Sequence, residues 1–188
     1  FAMHGLYVAS DEDDADYPNF LRKAEKRLAK AQRKLSKRQN GSHNRNKQRF
    51  HVARLHEKIA NQRRDFLHKK ARYLVDRYDV IGIEDISVKA MAKHKKGGKF
   101  SFGKSVADNG WNMLTNILEY KLAWQGKKLV KIDKWYPSSQ LCHVCGFQND
   151  VTKDLSVREW VCPKCGSHHN RDKNAAINIR EEARRISA

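Results

Sequence analysis

Two stretches of the chain carry apolar residues at helical spacing. The first stripe consists of Leu21, Ala24, Leu28, Ala31 and Leu35. The second consists of Val52, Leu55, Ile59 and Phe66, with Tyr73 and Leu74 near its end. Intervals of three and four residues place such a stripe along one face of a helix. Because residues 39–44 between the stretches are rich in turn formers, the pattern predicts an antiparallel helical hairpin whose first helix begins near Pro18.

The pattern changes on either side of this hairpin. Residues 79–84 (DVIGIE) form a β-branched run that predicts a buried strand, and residues 5–10 and 128–133 predict two more. Residues 108–124 return to helical spacing, with Trp111, Leu114, Leu118 and Leu122 inward and with Trp111 and Trp124 expected in the core. Residues 93–104 are basic and glycine-rich, which predicts a mobile segment. Strands that alternate with helices indicate an α/β fold.

Composition narrows the class of protein. Only 39% of the 188 residues are hydrophobic, and no apolar run reaches the ~18 residues that span a bilayer. The opening residues, FAMHGLYVASDEDD, lack the basic and apolar regions of a secretion signal. We therefore expect a protein that does not bind membranes and that resides in the cytoplasm.

The charge of the chain is strongly positive and localised. The formal net charge is +18, and residues 20–77 contain 20 Lys and Arg against four Asp and Glu. Such an excess favours an anionic partner, most commonly nucleic acid. The alternative is a solvated helix face, but few acids are available for pairing within the helices. The residues expected to contact phosphates are Arg33, Lys34, Arg38, Arg45, Arg63 and Arg64.

The four cysteines fall in two CxxC pairs separated by sixteen residues. They are Cys142, Cys145, Cys162 and Cys165. Four thiolates complete a tetrahedral shell around Zn²⁺ and leave no open position, so the predicted site is structural. The alternatives are disulfides, which need an oxidising compartment, or unligated thiols. The nearby histidines, His143, His168 and His169, are possible substitute ligands, but we interpret them as surface or nucleic-acid contacts.

Two carboxylates stand out by position. Glu84 ends a predicted strand, and Asp172 precedes the helical run 174–179. An ordinary explanation exists for the second, since acids cap helix N-termini and interact favourably with the helix dipole. Trp135 and Tyr136 follow the strand at 128–133; they suit either core packing, which we favour, or stacking on unpaired bases.

Three segments in a fixed order carry a family resemblance. GIEDIS (82–87), KIDKWYPSSQLCHVCG (131–146) and NRDKNAAINI (170–179) resemble the TnpB/OrfB proteins of insertion sequences, which are related to type V CRISPR nucleases. The basic stretch RLHEKIANQRRDFLHK (54–69) is similar as well. The resemblance implies an RNase H-like (RuvC) mixed sheet with an inserted basic helical hairpin and an inserted zinc ribbon. The implied boundaries are a core at 1–140 with the hairpin at 19–77, the ribbon at 141–168 and a final core segment at 169–188.

The resemblance also implies an activity. Glu84 and Asp172 match the second and third of three carboxylates that hold two Mg²⁺ ions during phosphodiester hydrolysis. The family's first Asp would stand just ahead of Phe1, so the chain is either a fragment of a longer protein or a form that lacks this ligand. As given, we expect it to bind catalytic metal weakly and to cleave slowly or not at all. The implied function is the carboxy-terminal nuclease part of an RNA-guided DNA endonuclease, with DNA and a guide RNA as partners. The alternatives are a nuclease-dead DNA- or RNA-binding module and a zinc-dependent protein scaffold.

Overall fold

The computed structural model of the protein describes residues 5–11, 13–85 and 108–188, so the segment at 93–104 lies outside the described residues. In chain order, the helices are α1 (Phe20–Ser36), α2 (His43–Arg77), α3 (Trp111–Trp124) and α4 (Arg171–Ser187). The strands are β1 (Val80–Glu84), β2 (Lys128–Ile132), β3 (Glu159–Val161) and β4 (His168–Asn170), and a 3₁₀ turn covers Asp150–Lys153.

Helices α1 and α2 form the predicted hairpin. The buried residues of its seam are Leu28, Ala31, Val52, Leu55 and Ile59. The Ser42 side chain accepts a hydrogen bond from the Arg45 N–H at 3.2 Å and thereby caps α2. Across the seam, Gln48 Nε2 donates to the Ala31 carbonyl at 2.9 Å. The apolar periodicity therefore located both helices, and only the start of α1 is displaced, from Pro18 to Phe20.

The main core lies between the second half of α2 and α3. Its buried members on these helices include Leu67, Ala71, Leu74, Val75, Trp111, Leu114, Leu118 and Leu122. Leu6 and Tyr17 from the first residues of the chain complete it. The indole Nε1 of Trp111 donates to the Leu6 carbonyl at 3.1 Å, which ties the amino-terminal segment to α3.

Strands β1 and β2 pair in parallel, with Val80 opposite Lys128 and Glu84 opposite Ile132. Helix α4 packs on both strands, and α3 packs on β2. Helices therefore pack on the sheet, as they usually do on parallel pairs, and the α/β class predicted from the sequence is confirmed. In the described part of the chain, β3 and β4 form a separate antiparallel pair beside the cysteines.

Several local expectations are wrong. Residues 5–10 form no strand, because the pairing there is a single bridge between Tyr7 and Ala15. Strand β1 is only partly buried, since its first residue is exposed and the other four are half-buried. Trp124 and Trp135, both expected in the core, are 78% and 81% exposed. Trp124 is the last residue of α3 and Trp135 lies in the turn after β2, where the flanking elements do not cover them.

Gly82 sets how closely α4 approaches β1. A Cβ atom at this position would lie 2.6 Å from the Ala183 Cβ and 3.3 Å from the Ile179 carbonyl oxygen. Both distances are shorter than normal van der Waals contact. The absence of a side chain at Gly82 is thus what lets the helix rest on the strand.

We predict that Gly82→Ala destabilises the protein by about 2 kcal/mol, because overpacking forces α4 away from β1. Urea denaturation followed by circular dichroism measures the change. The matched control is the double variant Gly82→Ala/Ala183→Gly, which removes the opposing Cβ and recovers part of the loss. A single variant as stable as the parent protein contradicts the close-packing argument.

Candidate active site and cysteine centre

Glu84 is held at the carboxyl end of β1. It pairs with Ile132, and the hydroxyl of the buried Ser138 donates to its Oε1 at 2.7 Å. The side chain itself is half-buried. One carboxylate oxygen is therefore fixed by a hydroxyl donor at a sheet edge, where residues from two parallel strands converge.

Asp172 lies in the first turn of α4. The helix is capped by Asn170, whose Oδ1 accepts hydrogen bonds from the N–H groups of Asp172 at 3.1 Å and Lys173 at 3.2 Å. Asp172 Oδ2 lies 3.5 Å from Arg158 Nη1, and the side chain is half exposed. Asn170 therefore supplies the cap, whereas the Asp172 carboxylate interacts with the helix dipole and with Arg158.

Two buried amides connect α4 to the elements around Glu84. Asn178 Nδ2 donates to the carbonyls of Ser138 at 2.8 Å and Leu141 at 2.7 Å. Asn174 Nδ2 donates to the same Leu141 carbonyl at 2.6 Å, and its Oδ1 accepts the His143 N–H at 3.1 Å. Both side chains are nearly inaccessible to solvent. A hydrogen-bonded path thus leads from Glu84 through Ser138 to α4, the helix that carries Asp172.

The acidic turn after Tyr7 approaches the same helix. Asp14 Oδ1 accepts hydrogen bonds from the Ala9 N–H at 2.8 Å and from Lys173 Nζ at 3.2 Å. Asp11 instead accepts a hydrogen bond from the Tyr78 hydroxyl, and burial together with this carboxylate raises the pKa of Tyr78 to about 12. These acids have structural partners. Within the described ranges, Glu84, Asp172 and these acids form no cluster of three or more possible metal ligands.

The four cysteines do converge. Their sulfur atoms all lie within 4.8 Å of one another, with Cys142 Sγ 3.7 Å from Cys165 Sγ and Cys145 Sγ 3.6 Å from Cys162 Sγ. Tetrahedral coordination with Zn–S bonds of ~2.3 Å places sulfurs about 3.8 Å apart. All four cysteines are unpaired by disulfides. The cluster therefore fits the predicted zinc site.

The pKa values of the cysteine thiols are shifted by their neighbours. The Ser167 side chain donates to Cys165 and lowers the pKa of that thiol to about 6. At Cys145 the Phe147 N–H lowers the pKa, but burial and the neighbouring thiols outweigh it and raise the value to about 12. Four crowded thiols thus cannot all ionise without a cation, whereas a bound metal ion deprotonates its thiol ligands.

His169 differs from its sequence-based interpretation. It is 4% exposed, and its Nε2 lies 3.1 Å from Cys142 Sγ, so the expectation of a surface position is wrong. The ring packs against Trp160 at a centroid distance of 4.6 Å. His143 and His168 are exposed as expected. The two-residue alternation of β4 explains the difference, since His168 and His169 point to opposite faces.

The six basic residues expected to bind phosphate occupy two places on the hairpin. Four lie at its tip; they are Arg33, Lys34, Arg38 and Arg45. Arg63 and Arg64 lie at its base, and Arg63 is eighteen residues, or about 27 Å, along α2 from Arg45. The structure therefore does not bring the six together into one patch.

Two of these side chains have internal partners. Arg45 Nη1 donates to the carbonyls of Leu35 at 3.0 Å and Arg38 at 3.2 Å, which caps the end of α1. Arg63 Nη2 lies 2.9 Å from Asp108 Oδ1, and the Asp108 side chain is 2% exposed. Tyr17 completes this buried group, since its hydroxyl accepts from Arg63 Nε at 3.3 Å. Arg63 thus anchors the hairpin to the residues just before α3.

Comparison with known proteins identifies the class. Residues 2–95 match the OrfB_IS605 family, described as "Probable transposase", and residues 111–179 match a domain described as "Cas12f1-like, TNB domain". The chain belongs to the OrfB family of insertion-sequence proteins, and the resemblance seen in the sequence is confirmed.

Individual relatives place the chain within that class. A "Putative RNA-guided DNA endonuclease" of Streptomyces pristinaespiralis is 45% identical over 174 residues, covering 93% of this chain and 42% of that protein. "Putative RNA-guided DNA endonuclease InsQ" of Escherichia coli (strain K12) is 35% identical, covering 93% and 45%. The chain therefore spans less than half the length of these relatives.

A solved structure shows the same fold. The structure described as "Cryo-EM structure of the Cas12f1-sgRNA-target DNA complex" superposes with a TM-score of 0.56 at 21% identity, covering 88% of this chain and 42% of that chain. Among the described residues, no helix is long and apolar enough to cross a membrane.

For the cysteine centre we predict about one zinc ion per purified chain, measured by inductively coupled plasma mass spectrometry. Cys142→Ser lowers the zinc affinity sharply, whereas the control His168→Ala leaves it unchanged because His168 points away from the sulfurs. Affinity falls as pH decreases, since protons compete for the thiolates. Zinc content far below one per chain, or full retention in Cys142→Ser, contradicts the assignment.

The adjacent arginines Arg63 and Arg64 give a second prediction. Arg63→Ala leaves Asp108 buried without its cation and destabilises the protein by about 3 kcal/mol. Arg64→Ala, on an exposed side chain, changes stability by less than about 0.5 kcal/mol. In fluorescence anisotropy, Arg64→Ala weakens binding to a labelled oligonucleotide and reduces its salt dependence. Equal stability losses in the two variants contradict this division of roles.

Proposed function

We propose that this chain is the carboxy-terminal nuclease part of an RNA-guided DNA endonuclease associated with transposition. Membership of the OrfB family supports the proposal, as do the names of the relatives from Streptomyces and Escherichia coli. The observation that carries it is geometric. Glu84 ends a strand against which α4 packs, and Asp172 lies in the first turn of that helix.

Glu84 and Asp172 are suited to hold Mg²⁺ because carboxylate oxygens are its preferred protein ligands. A Mg²⁺ ion held by these two carboxylates would supply Lewis-acid chemistry for phosphodiester hydrolysis, by activating water and by stabilising the leaving oxygen. Ser138 fixes Oε1 of Glu84 through its hydroxyl. Arg158 and Lys173 flank Asp172 and pair with carboxylates, Arg158 with Asp172 at 3.5 Å and Lys173 with Asp14 at 3.2 Å.

The proposed architecture is an RNase H-like core with two insertions. In this proposal the core covers residues 1–140 and 169–188, the hairpin at 19–77 is the first insertion and the cysteine-bound ribbon at 141–168 is the second. The parallel pair β1–β2 with α3 and α4 packed against it supports the core assignment. The separate β3–β4 pair beside the four cysteines supports the second insertion.

The hairpin is the proposed contact to DNA or guide RNA. Its tip carries the exposed side chains of Arg33, Lys34 and Arg38, and Arg64 is exposed at its base. These groups neutralise phosphates without reading sequence, so their affinity depends on salt. The relatives are named as RNA-guided DNA endonucleases and the superposed structure is a complex with sgRNA and target DNA, which supports DNA and RNA as the partners of this surface.

One observation favours a second candidate, a nucleic-acid-binding module without cleavage activity. Among the residues that the structure describes, no cluster of three carboxylates includes Glu84 or Asp172. The family resemblance implies that the third ligand is an Asp on a strand ahead of Phe1. A site with two carboxylates alone would hold divalent metal weakly, and binding would then dominate over hydrolysis.

The deciding experiment adds an Asp-bearing strand ahead of Phe1 and measures Mg²⁺-dependent cleavage of a labelled single-stranded oligonucleotide. We predict cleavage that falls by at least about a hundredfold in both Glu84→Gln and Asp172→Asn, because each removes a metal-binding charge. Asp85→Asn is the matched control, since this exposed acid is adjacent to Glu84 but follows the end of β1.

The result has a distinct meaning for each candidate. The nuclease is supported if Glu84→Gln and Asp172→Asn lose cleavage activity while Asp85→Asn retains it. Full activity in both site variants overturns the assignment of these carboxylates. Salt-dependent binding without cleavage in any form of the protein supports the binding module.

A further inference from the structure

Trp135 is an aromatic side chain that the fold leaves uncovered. It is 81% exposed, although indole is among the most favourable groups to bury. Lys134 Nζ lies 5.0 Å from the centroid of its ring, in the geometry of a cation–π contact. The side chain therefore presents an aromatic surface to solvent with a positive charge beside it.

The turn that carries Trp135 is well fixed. Asp133 Oδ1 accepts the Trp135 N–H at 2.6 Å, and the Asp133 carbonyl accepts the Tyr136 N–H at 3.1 Å. The Ser138 N–H donates to the Tyr136 carbonyl at 2.8 Å, so backbone hydrogen bonds hold the chain from Asp133 to Ser138. Because the backbone is already ordered, a ligand that stacks on the indole loses little further conformational entropy.

This turn lies beside the Glu84 carboxylate. On one side it follows Ile132, which pairs with Glu84, and on the other it leads to Ser138, which donates to Glu84. Trp135 is three residues from each of them, so its Cα lies within about 11 Å of both Cα atoms. Four stacked bases span a comparable distance, at ~3.4 Å per step.

We propose that Trp135 is a stacking platform for an unpaired nucleobase of the nucleic acid that enters the carboxylate site. This inference rests on the proposed function and adds a base-binding residue to it. Aromatic side chains stack on the π-face of any base, which is accessible in a single strand but covered in a duplex. Lys134 provides the charge for the adjoining phosphate.

The surroundings of Trp135 do not form an apolar protein-docking surface. Its exposed neighbours Asp133 and Lys134 are charged, and Asp85 at the end of β1 is exposed as well. A protein-docking surface requires a contiguous apolar patch of several hundred Å². A single indole among charged groups does not provide one, whereas it suffices for stacking on one base.

Trp124 is a matched control within the same chain. It is 78% exposed and lies at the end of α3, just before β2 begins. Trp135 follows the other end of β2, so the two indoles lie at opposite ends of the strand. Trp124 packs edge-on against Tyr120 at a centroid distance of 4.7 Å. If removing any exposed Trp weakens nucleic-acid binding, Trp124→Ala and Trp135→Ala both show the loss. If the loss reflects base stacking beside Glu84, only Trp135→Ala shows it.

The experiment measures binding of the zinc-loaded chain to labelled fifteen-residue oligonucleotides in Mg²⁺-free buffer by fluorescence anisotropy. One probe is single-stranded oligothymidine, and the second is an abasic strand with the same number of phosphates. We expect Trp135→Ala to weaken binding to oligothymidine about tenfold, with no change for the abasic strand. Trp135→Phe retains most of the affinity, and Trp124→Ala behaves like the parent protein.

Circular dichroism and zinc content establish that each variant is folded. Unchanged binding of Trp135→Ala to oligothymidine overturns the stacking inference and leaves the proposed function standing. The inference is also overturned if Trp135→Ala weakens binding equally to oligothymidine and to the abasic strand, because the loss then does not depend on a base. It is likewise overturned if Trp124→Ala weakens binding to oligothymidine as much as Trp135→Ala does, because the effect is then not specific to Trp135. If the parent chain binds neither probe, both the inference and the proposed function are contradicted.

Discussion

The docking of α4 on the parallel pair β1–β2 is the constraint on which the rest of the structure depends. This helix contacts both strands and β4, and it carries Asp172 in its first turn. The approach is possible because Gly82 has no side chain, and it is fixed by the amides of Asn174 and Asn178. A buried amide left without partners costs about 1–3 kcal/mol, so a shifted helix loses both its packing and its hydrogen bonds.

The sequence predicts those parts of the structure that follow from local periodicity or spacing. The hairpin seam around Leu28 and Leu55 is visible because its apolar residues repeat every three or four positions. The cysteine centre is visible because two CxxC pairs impose their own geometry. Glu84 and Asp172 stand out by position, but only the family resemblance gives them a catalytic role, since a strand end and a helix start are common positions for acids.

The sequence misses what depends on long-range packing. Asn174 and Asn178 look like ordinary polar residues in the sequence. Only the structure shows that both side chains are buried and donate to the Leu141 carbonyl. Arg63 and Arg64 are adjacent and chemically identical, yet the position of Asp108, 45 residues later, gives one of them a structural role. Exposure of Trp135 likewise depends on what packs nearby, which hydrophobicity alone does not reveal.

The link between the cysteine centre and the carboxylates has a physical basis in three consecutive residues. Cys142 supplies one sulfur of the metal-binding cluster, while the carbonyl of Leu141 and the N–H of His143 are both bound by Asn174. A metal ion that immobilises Cys142 therefore also immobilises the groups that Asn174 holds. Asn178 donates hydrogen bonds to the carbonyls of both Leu141 and Ser138. The Ser138 hydroxyl in turn donates to Glu84, so the contacts connect Cys142 to this carboxylate. A metal ion bound by the cysteines would thus restrain more than its own small module, because the buried amides of Asn174 and Asn178 connect that module to both elements that carry the carboxylates.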